Sequence, residues 1–273
     1  MYKYHRQRRG LLIRYGISTA CLYPQETAQS LARLTNVGFR LFEIFFNTYG
    51  ELRKDYLNNL KSILDSSGSA VKSIHPFTSG FESMMFFSDY DSRFTDSLDF
   101  YRKYFEAAGR LGAEILVLHG QRDYLYSTLS EEEYFERYAL LFEAGRRCGI
   151  QVAQENVNRF RSEDPGFIRR MREYLGESCC FVFDIKQAVR AGKDPFEMCS
   201  AMGDRLVHIH LNDNNGKSDC LLPGDGTMDY ARLMKLLDEF GYSGDFIIEV
   251  YRKSFPNLDH LLDSRHFVEQ LVK

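Results

Sequence analysis

The sequence predicts an α/β fold of the (β/α)8 TIM-barrel class, formed by a single domain. Short runs of β-branched or aromatic residues recur eight times along the 273 residues, and a longer amphipathic stretch follows each run. This alternation gives parallel strands joined by right-handed crossovers, and eight such units close a barrel. A doubly wound open sheet is the structural alternative, but it usually has a glycine-rich turn after its first strand, and residues 18–22 contain no glycine.

The eight predicted strands are the apolar runs, which should be buried on both faces. They cover residues 15–20, 41–46, 71–76, 115–119, 151–155, 180–184, 206–210 and 246–250. The predicted helices lie between and after them, at residues 26–35, 51–66, 91–111, 131–148, 165–175, 195–202, 229–240 and 258–272. Asp164-Pro165 and Asp194-Pro195 each place an N-cap before a first-turn proline, and glycines such as Gly38 and Gly112 mark helix ends.

Composition limits the class of protein. The 35 basic and 38 acidic residues give a net charge of −3, which excludes a globally basic nucleic-acid-binding protein. No apolar run approaches the roughly 18 residues that would span a bilayer. We expect a basic tail at residues 1–13 ahead of a barrel domain at 14–273. The six cysteines form no C-x-x-C pair, which favours reduced thiols and a cytoplasmic location.

Chemically capable side chains follow most of the later strands. In a barrel of this class the active site lies at the carboxyl ends of the strands, where the strand-to-helix loops open. Predicted strands 3 to 8 end at or beside polar residues at that edge, namely His75, His119, Glu155 with Asn156, Asp184, His210 and Glu249. The sequence therefore predicts that these side chains converge on one mouth.

A divalent cation accounts for this concentration of charge. Burying a lone carboxylate is costly, and several carboxylates around one ion avoid that cost. Four of these residues supply three carboxylates and an imidazole, a set that suits Mn²⁺, Zn²⁺, Co²⁺ or Mg²⁺: Glu155, Asp184, His210 and Glu249. We expect His208 to pack deeper on the same strand. Two interpretations stay open for His75, His119 and Glu43, namely a contact with the substrate pocket and a structural hydrogen bond.

The two glutamates suggest the chemistry. Glu155 and Glu249 lie three strands apart around the ring, so they approach a bound molecule from different directions. Our hypothesis is proton abstraction next to a carbonyl, with the metal stabilising an enediolate, one glutamate removing the proton and the other returning it. Return to the same carbon gives epimerisation, return to the neighbouring carbon gives isomerisation, and loss of a β-hydroxyl gives dehydration.

At these residues the sequence resembles the xylose isomerase-like TIM-barrel superfamily. The resemblance extends from Tyr15 to about Leu262, and its motifs are Gln154-Glu155-Asn156, Phe183-Asp184, residues 208–213, residues 224–229 and Ile248-Glu249. It implies a small sugar or sugar-derived substrate and a single divalent ion bound by Glu155, Asp184, His210 and Glu249. It also implies an isomerase or epimerase, with an inosose-type dehydratase as the alternative and a homo-oligomer as a common state.

Two departures from the family pattern concern the substrate. Epimerases of the tagatose 3-epimerase type commonly have histidine where Gln187 stands and a second glutamate where Arg161 stands. We assign both residues, with His75, His119 and Asn156, as candidate substrate contacts. Arg161 suits a substrate carboxylate or phosphate, although a solvent-facing loop position is the alternative. The turn at Gly224-Asp225-Gly226 is open to a phosphate site or a tight turn before a helix.

Two further functions are open at this point. The endonuclease IV branch has histidines resembling His75 and His119 that bind additional zinc ions. The loop at residues 214–223 lacks the further histidine that a three-metal nuclease site needs, and Gln187 removes another ligand. We therefore expect no nucleic-acid partner. A non-catalytic ligand-binding barrel that retained the metal is the other alternative.

Overall fold

Eight parallel strands pair in sequence order and close into a barrel in the computed structural model of the protein. The structure describes residues 14–122 and 128–271. The predicted basic tail at residues 1–13 lies outside the described residues. The strands are β1 (Tyr15–Ser18), β2 (Leu41–Phe45), β3 (Ala70–His75), β4 (Ile115–Leu118), β5 (Gln151–Glu155), β6 (Phe181–Asp184), β7 (Leu206–Leu211) and β8 (Phe246–Ile248).

Helices surround the barrel and connect its strands. They are α1 (Thr27–Val37), α2 (Lys54–Ser67), α3 (Glu82–Met85), α4 (Asp91–Leu111), α5 (Glu131–Arg147), α6 (Pro165–Leu175), α7 (Ile185–Arg190), α8 (Pro195–Met202), α9 (Tyr230–Glu239) and α10 (Leu258–Leu271). The predicted TIM-barrel class is thus confirmed. None of the helices in the described ranges is long and apolar enough to cross a membrane.

Some predicted boundaries were wrong, mostly by one to three residues. Strand β1 stops at Ser18 because Thr19–Leu22 turns into a 3-10 helix. Strand β4 ends before His119 and β8 ends before Glu249, so both residues stand just beyond their strands. Two short helices that lie in βα loops, α3 and α7, were not predicted. Helix α7 begins directly after Asp184, and this position matters for the site.

Local sequence explains how the helices begin. The Asp164 carboxylate accepts a hydrogen bond from the Phe167 N–H at 3.0 Å, which caps α6 ahead of Pro165 as predicted. Asp194 does the same for α8, accepting from the Phe196 N–H at 2.8 Å. Each cap satisfies a backbone donor that the first helical turn leaves unpaired.

The barrel is closed at its amino end by an ion pair. Arg14 precedes β1 and donates from its backbone and guanidinium to Asp245, which precedes β8. Lys72 in β3 lies 3.6 Å from the same carboxylate and 2.6 Å from Glu114. These charged groups lie at the end opposite to the strand ends that carry the candidate site. The first and last strands are joined here, independently of the site.

Candidate metal centre and active site

Four buried side chains from consecutive strands meet at the carboxyl end of the barrel. Glu155 ends β5, Asp184 ends β6, His210 lies in β7 and Glu249 follows β8. The His210 Nδ1 atom lies 3.2 Å from Glu155 Oε1, 3.5 Å from Glu249 Oε2 and 3.7 Å from Asp184 Oδ2. One ligand atom from each of the four residues lies within 4.8 Å of every other. We call these four residues the tetrad. Its three carboxylates and one imidazole fit a divalent cation.

Glu43 contacts the tetrad histidine from the other side of the barrel. Its Oε2 atom lies 3.0 Å from His210 Nε2, and it also accepts a hydrogen bond from the Ser73 hydroxyl at 2.8 Å. With Nε2–H donated to Glu43, His210 presents Nδ1 to the carboxylates. A carboxylate on the second ring nitrogen is the usual way in which proteins orient a metal-binding histidine.

His208 occupies the deeper position that the sequence predicted. Its Nε2 atom lies 3.1 Å from the Ser73 oxygen and 3.4 Å from Glu43 Oε2, and the side chain has no solvent exposure. Burial of the imidazole, reinforced by the neighbouring charge of His210, lowers the pKa of His208, although Glu43 opposes this shift. His208 therefore packs as a neutral group that supports Glu43.

The charges around His210 stabilise its cationic form. Burial opposes that form, but the carboxylates of Glu43 and Glu249 outweigh it and raise the pKa of His210 well above its ordinary value. Burial likewise opposes ionisation of Glu43, yet the imidazoles of His210 and His208 hold its pKa well below the usual range. In this structure His210 thus balances part of the negative charge that a divalent ion would neutralise when bound.

Lys186 also contacts the tetrad. It lies in the first turn of α7, is 3% exposed, and its ammonium donates hydrogen bonds to both Asp184 Oδ2 and Glu249 Oε2. Burial opposes its charge, but Asp184 and Glu249 outweigh burial and raise the pKa of Lys186 well above its usual value. The same ammonium lowers the pKa of Asp184 against the effect of burial. For Glu249 burial is the stronger influence and raises its pKa.

Two asparagines position Asp184. Asn156 accepts a hydrogen bond from the Asp184 N–H at 2.8 Å and donates its amide to the Asp184 carbonyl at 2.9 Å. Asn212 donates to Asp184 Oδ1 at 3.0 Å. The main chain of Asp184 is thereby tied to the loop after β5, and one carboxylate oxygen is oriented. Both polar atoms of the Asn156 side chain are used in this way.

A second group of potential ligands adjoins the tetrad. His75 Nε2 and His119 Nε2 lie 3.0 Å apart, and His119 Nε2 lies 3.0 Å from Glu155 Oε2. That buried oxygen receives no well-aligned hydrogen bond in the structure. The imidazoles of His119, His210 and His75 overcome burial and hold the pKa of Glu155 well below its ordinary value. Glu155 is therefore shared between the tetrad and this histidine pair.

Glu82 supports the histidine pair from behind. Its carboxyl accepts hydrogen bonds from the Gly120 N–H at 2.5 Å and the Tyr101 hydroxyl at 2.8 Å, and it is fully buried. Burial raises the pKa of Glu82 to about 8. Because Gly120 directly follows His119, this contact fixes the backbone at the end of β4.

The open side of the site is defined by the side chains that keep some exposure. The Glu249 side chain is 11% exposed and that of His119 is 19% exposed, whereas Glu155 and Asp184 are at 2% or less. A ligand that enters from the barrel mouth therefore meets Glu249 and His119 before the other groups.

Comparison with known proteins identifies the family. The family model described as "Xylose isomerase-like TIM barrel" matches residues 31–271. The chain belongs to this family. An uncharacterized protein of Mycobacterium leprae (strain TN) is 24% identical over 263 residues, which cover 89% of this chain and 90% of the relative. The inosose dehydratase of Clostridium beijerinckii is 20% identical over 254 residues, covering 81% and 80%.

A solved structure shows the same fold. The crystal structure of a D-tagatose 3-epimerase-like protein superimposes with a TM-score of 0.77 at 20% identity, covering 95% of this chain and 97% of the other. The match to the family model confirms the predicted membership of the xylose isomerase-like TIM barrels.

The remaining predicted substrate contacts occupy loops near the mouth of this xylose isomerase-like barrel. The Arg161 guanidinium donates to Gln121 Oε1 at 2.5 Å and to the Leu129 carbonyl, so it joins the loop after β5 to the loop after β4. The Gln187 side-chain oxygen accepts from the Asn158 N–H at 3.3 Å. The contacts of both residues, like those of Asn156, are with the protein's own loops and strands. Their roles as substrate contacts stay predictions.

The turn at Gly224-Asp225-Gly226 is a tight turn around a carboxylate. Asp213 accepts hydrogen bonds from the backbone N–H groups of Gly224, Asn214 and Met228, at 3.1, 2.8 and 2.9 Å. A Cβ atom on Gly226 would lie 2.4 Å from Asp213 Oδ1. These amides are therefore already used, which favours the tight turn over a phosphate site.

Two residues that contact the site were not predicted from the sequence, and the role of a third was left open. Lys186 was missed because no helix was predicted between β6 and α8, although the N-cap Asp184 followed by helix-forming residues was an available signal. Asn212 was noted within a motif but given no role. Glu43 was left open, because its contact with His210 spans 167 positions and depends on barrel closure.

Proposed function

We propose that the protein is a divalent-metal-dependent isomerase or epimerase of sugars, sugar phosphates or related keto acids. The observation that carries this proposal is the convergence on one barrel mouth of four buried side chains of the types that ligate metal ions, two of them glutamates. A small polyhydroxy substrate matches this site, and the epimerase-like structural neighbour supports that class. Cytoplasmic location and homo-oligomer formation remain predictions from the sequence.

The tetrad would hold the ion. Glu155, Asp184 and Glu249 supply hard oxygen ligands and His210 supplies nitrogen, which suits Mn²⁺, Mg²⁺, Co²⁺ or Zn²⁺. When bound, such an ion acts as a Lewis acid that polarises a substrate carbonyl and stabilises negative charge developing on the substrate oxygens. Glu43 and Ser73 keep His210 in the orientation that presents Nδ1 to the site.

The glutamates move the proton. Glu249 stands on the open side of the tetrad, so its carboxylate is placed to remove a proton from the carbon next to the carbonyl. Glu155 reaches the same space from β5, three strands away, and returns a proton from another direction. The deeply buried side chains around them keep bulk water away from the transferred proton. Return to the same carbon gives an epimer, and return to the adjacent carbon gives an isomer.

Dehydration is the second candidate outcome at the same site. The curated relative named inosose dehydratase favours it, since its similarity spans 81% of this chain. The initial step, proton abstraction by Glu249, is shared with isomerisation. The outcome differs only if the substrate carries a leaving hydroxyl on the carbon beyond the one that loses the proton.

Solvent-deuterium exchange tests the proposal directly. The protein is incubated in D₂O with Mn²⁺ and a panel of ketoses, ketose phosphates, inososes and hydroxypyruvate, and the products are followed by NMR. We expect deuterium to enter one substrate at the carbon next to its carbonyl. Glu249→Gln should abolish this exchange, whereas Glu239→Gln, an exposed change on α9, should leave it unchanged. If no compound in the panel undergoes deuterium exchange or dehydration, that result counts against both enzyme functions.

Metal content separates the hydrolytic alternative. We expect one divalent ion per chain by elemental analysis after dialysis, and no cleavage of DNA that contains an abasic site. Three zinc ions per chain together with such cleavage would instead identify a nuclease of the endonuclease IV type. In the exchange experiment, loss of deuterium exchange in both Glu249→Gln and Glu239→Gln would indicate a non-specific loss of structure, which circular dichroism would check.

A further inference from the structure

Lys186 lies against the oxygen atoms that a metal ion would need. Its ammonium donates to Asp184 Oδ2 and Glu249 Oε2, and these are the same two oxygens that face His210 Nδ1 at 3.7 and 3.5 Å. The lysine therefore pairs with the carboxylate oxygens that face His210 rather than with those that face away from it. It lies along the edge where two of the four ligands point inward.

This placement is not that of an ordinary salt bridge. Among the residues that the structure describes, Lys186 is the only buried lysine or arginine, with 3% of its surface exposed. A buried ammonium needs compensation from nearby negative charge, and here two carboxylates provide it. The cation thus performs in the protein alone part of the neutralisation that a divalent ion would perform in the same space.

Both cations cannot use these oxygens fully at the same time. A divalent ion makes short bonds to carboxylate oxygens and repels a neighbouring ammonium at contact distance. The lysine side chain has a flexible four-carbon stem, so its ammonium can move while the backbone of α7 stays in place. Asp184 lacks such freedom, because Asn156 and Asn212 fix it in place.

We propose that Lys186 is a built-in competitor for the divalent ion at the Asp184–Glu249 edge. The ammonium occupies this edge when no ion is bound and leaves both oxygens when the ion enters, and this exchange weakens the affinity of the centre for metal. The inference rests on the metal centre of the proposed function. It adds that the affinity of the site is set by a residue that is not a ligand.

Metal affinity of a lysine variant provides the first test. Free Mn²⁺ is measured by electron paramagnetic resonance during titration of the wild type, Lys186→Met and Lys72→Met. Lys72 is the matched control, because it is a largely buried lysine with two carboxylate neighbours at the opposite end of the barrel. We expect Lys186→Met to bind Mn²⁺ at least tenfold more tightly than the wild type, and Lys72→Met to bind as the wild type does.

The outcomes distinguish this inference from the proposed function. Binding of Mn²⁺ by the wild type with equal or weaker binding by Lys186→Met would overturn the competition and leave the metal centre standing. No binding by either protein would overturn both. Tighter binding by both lysine variants would show a general effect of net charge and would overturn the specific role of Lys186.

A structural test on the wild type does not depend on how the variant folds. Crystal structures are determined with and without Mn²⁺, and the ion is located by its anomalous signal. We expect the Lys186 Nζ atom to lie more than 3.5 Å from Asp184 Oδ2 and Glu249 Oε2 in the metal-bound form. An ion at the tetrad with the ammonium still hydrogen-bonded to both oxygens would overturn the proposal.

Discussion

The buried carboxyl of Glu82 should make the stability of the protein depend on pH in a predictable direction. Burial, opposed by hydrogen bonds from Gly120 and Tyr101, raises the pKa of Glu82 to about 8 from an ordinary value of 4.5. At a pH between these two pKa values, the Glu82 carboxyl keeps its proton in the folded protein and loses it in the unfolded chain. Because the folded state binds more protons, the free energy of unfolding falls as pH rises through this window.

The size of the effect follows from the pKa difference. Each pH unit within the window changes the contribution of Glu82 by up to about 1.4 kcal/mol. Between pH 5.5 and 7.5 the unfolded carboxyl is almost fully ionised and the folded one is mostly protonated, so the loss amounts to about 2–3 kcal/mol. This is a large fraction of the 5–15 kcal/mol that is typical of folded domains.

Glu82→Gln isolates this contribution. The amide retains an acceptor for the Gly120 N–H and gives a donor to the Tyr101 oxygen, but it does not titrate. Urea denaturation of the wild type and the variant at pH 5.5, 6.5 and 7.5 gives the difference between their unfolding free energies, in which all other titrating groups cancel. We expect this difference to shift by about 2–3 kcal/mol in favour of the variant as pH rises.

The reasoning would be refuted by a difference that is the same at all three pH values. Such a result would mean that the carboxyl is already ionised in the folded protein. It would follow that hydrogen bonds from the Gly120 N–H and the Tyr101 hydroxyl stabilise the carboxylate at least as much as burial destabilises it.

Three further predictions concern the contacts around the site and the barrel. Glu43→Gln should weaken Mn²⁺ binding about tenfold, measured by the same titration, because His210 loses the charged acceptor that orients it. Asn156→Ala should lower the free energy of unfolding by about 2 kcal/mol in urea, because a buried backbone N–H and carbonyl lose their partners. Gly16→Ala should lower the free energy of unfolding by about 1–3 kcal/mol, and with it the melting temperature, since the added Cβ would lie 2.3 Å from a carbonyl oxygen of β2. In the control Gly109→Ala, in α4, the added Cβ meets nothing, so the melting temperature should rise.

The barrel was predictable because its determinants are local. Each strand is an apolar run of the length that a buried parallel strand needs, and helix starts such as Asp164-Pro165 carry their caps beside them. The positions of Glu155, Asp184 and His210 at strand ends followed from these runs alone. What the sequence could not give was the exact end of each strand, so His119 and Glu249 were placed within strands that stop one residue earlier.

The electrostatic surroundings of the site were harder to predict because they depend on contacts across the barrel. Glu43 and His210 lie on strands β2 and β7, which do not pair, and their side chains meet only inside the closed ring. Lys186 depends on a six-residue helix that has no amphipathic period long enough to detect. Arg161 was assigned as a candidate contact of a substrate anion from its charge, and the sequence did not show that its guanidinium also joins two loops.

The position of Glu155 links two neighbouring sets of groups through one side chain. Its Oε1 atom faces His210 and its Oε2 atom faces His119, so a rotation that improves one contact lengthens the other. Any molecule that engages the histidine pair therefore alters the geometry offered to the tetrad, and the reverse also holds. The tetrad and the histidine pair therefore behave as one unit, and a change in either should affect both.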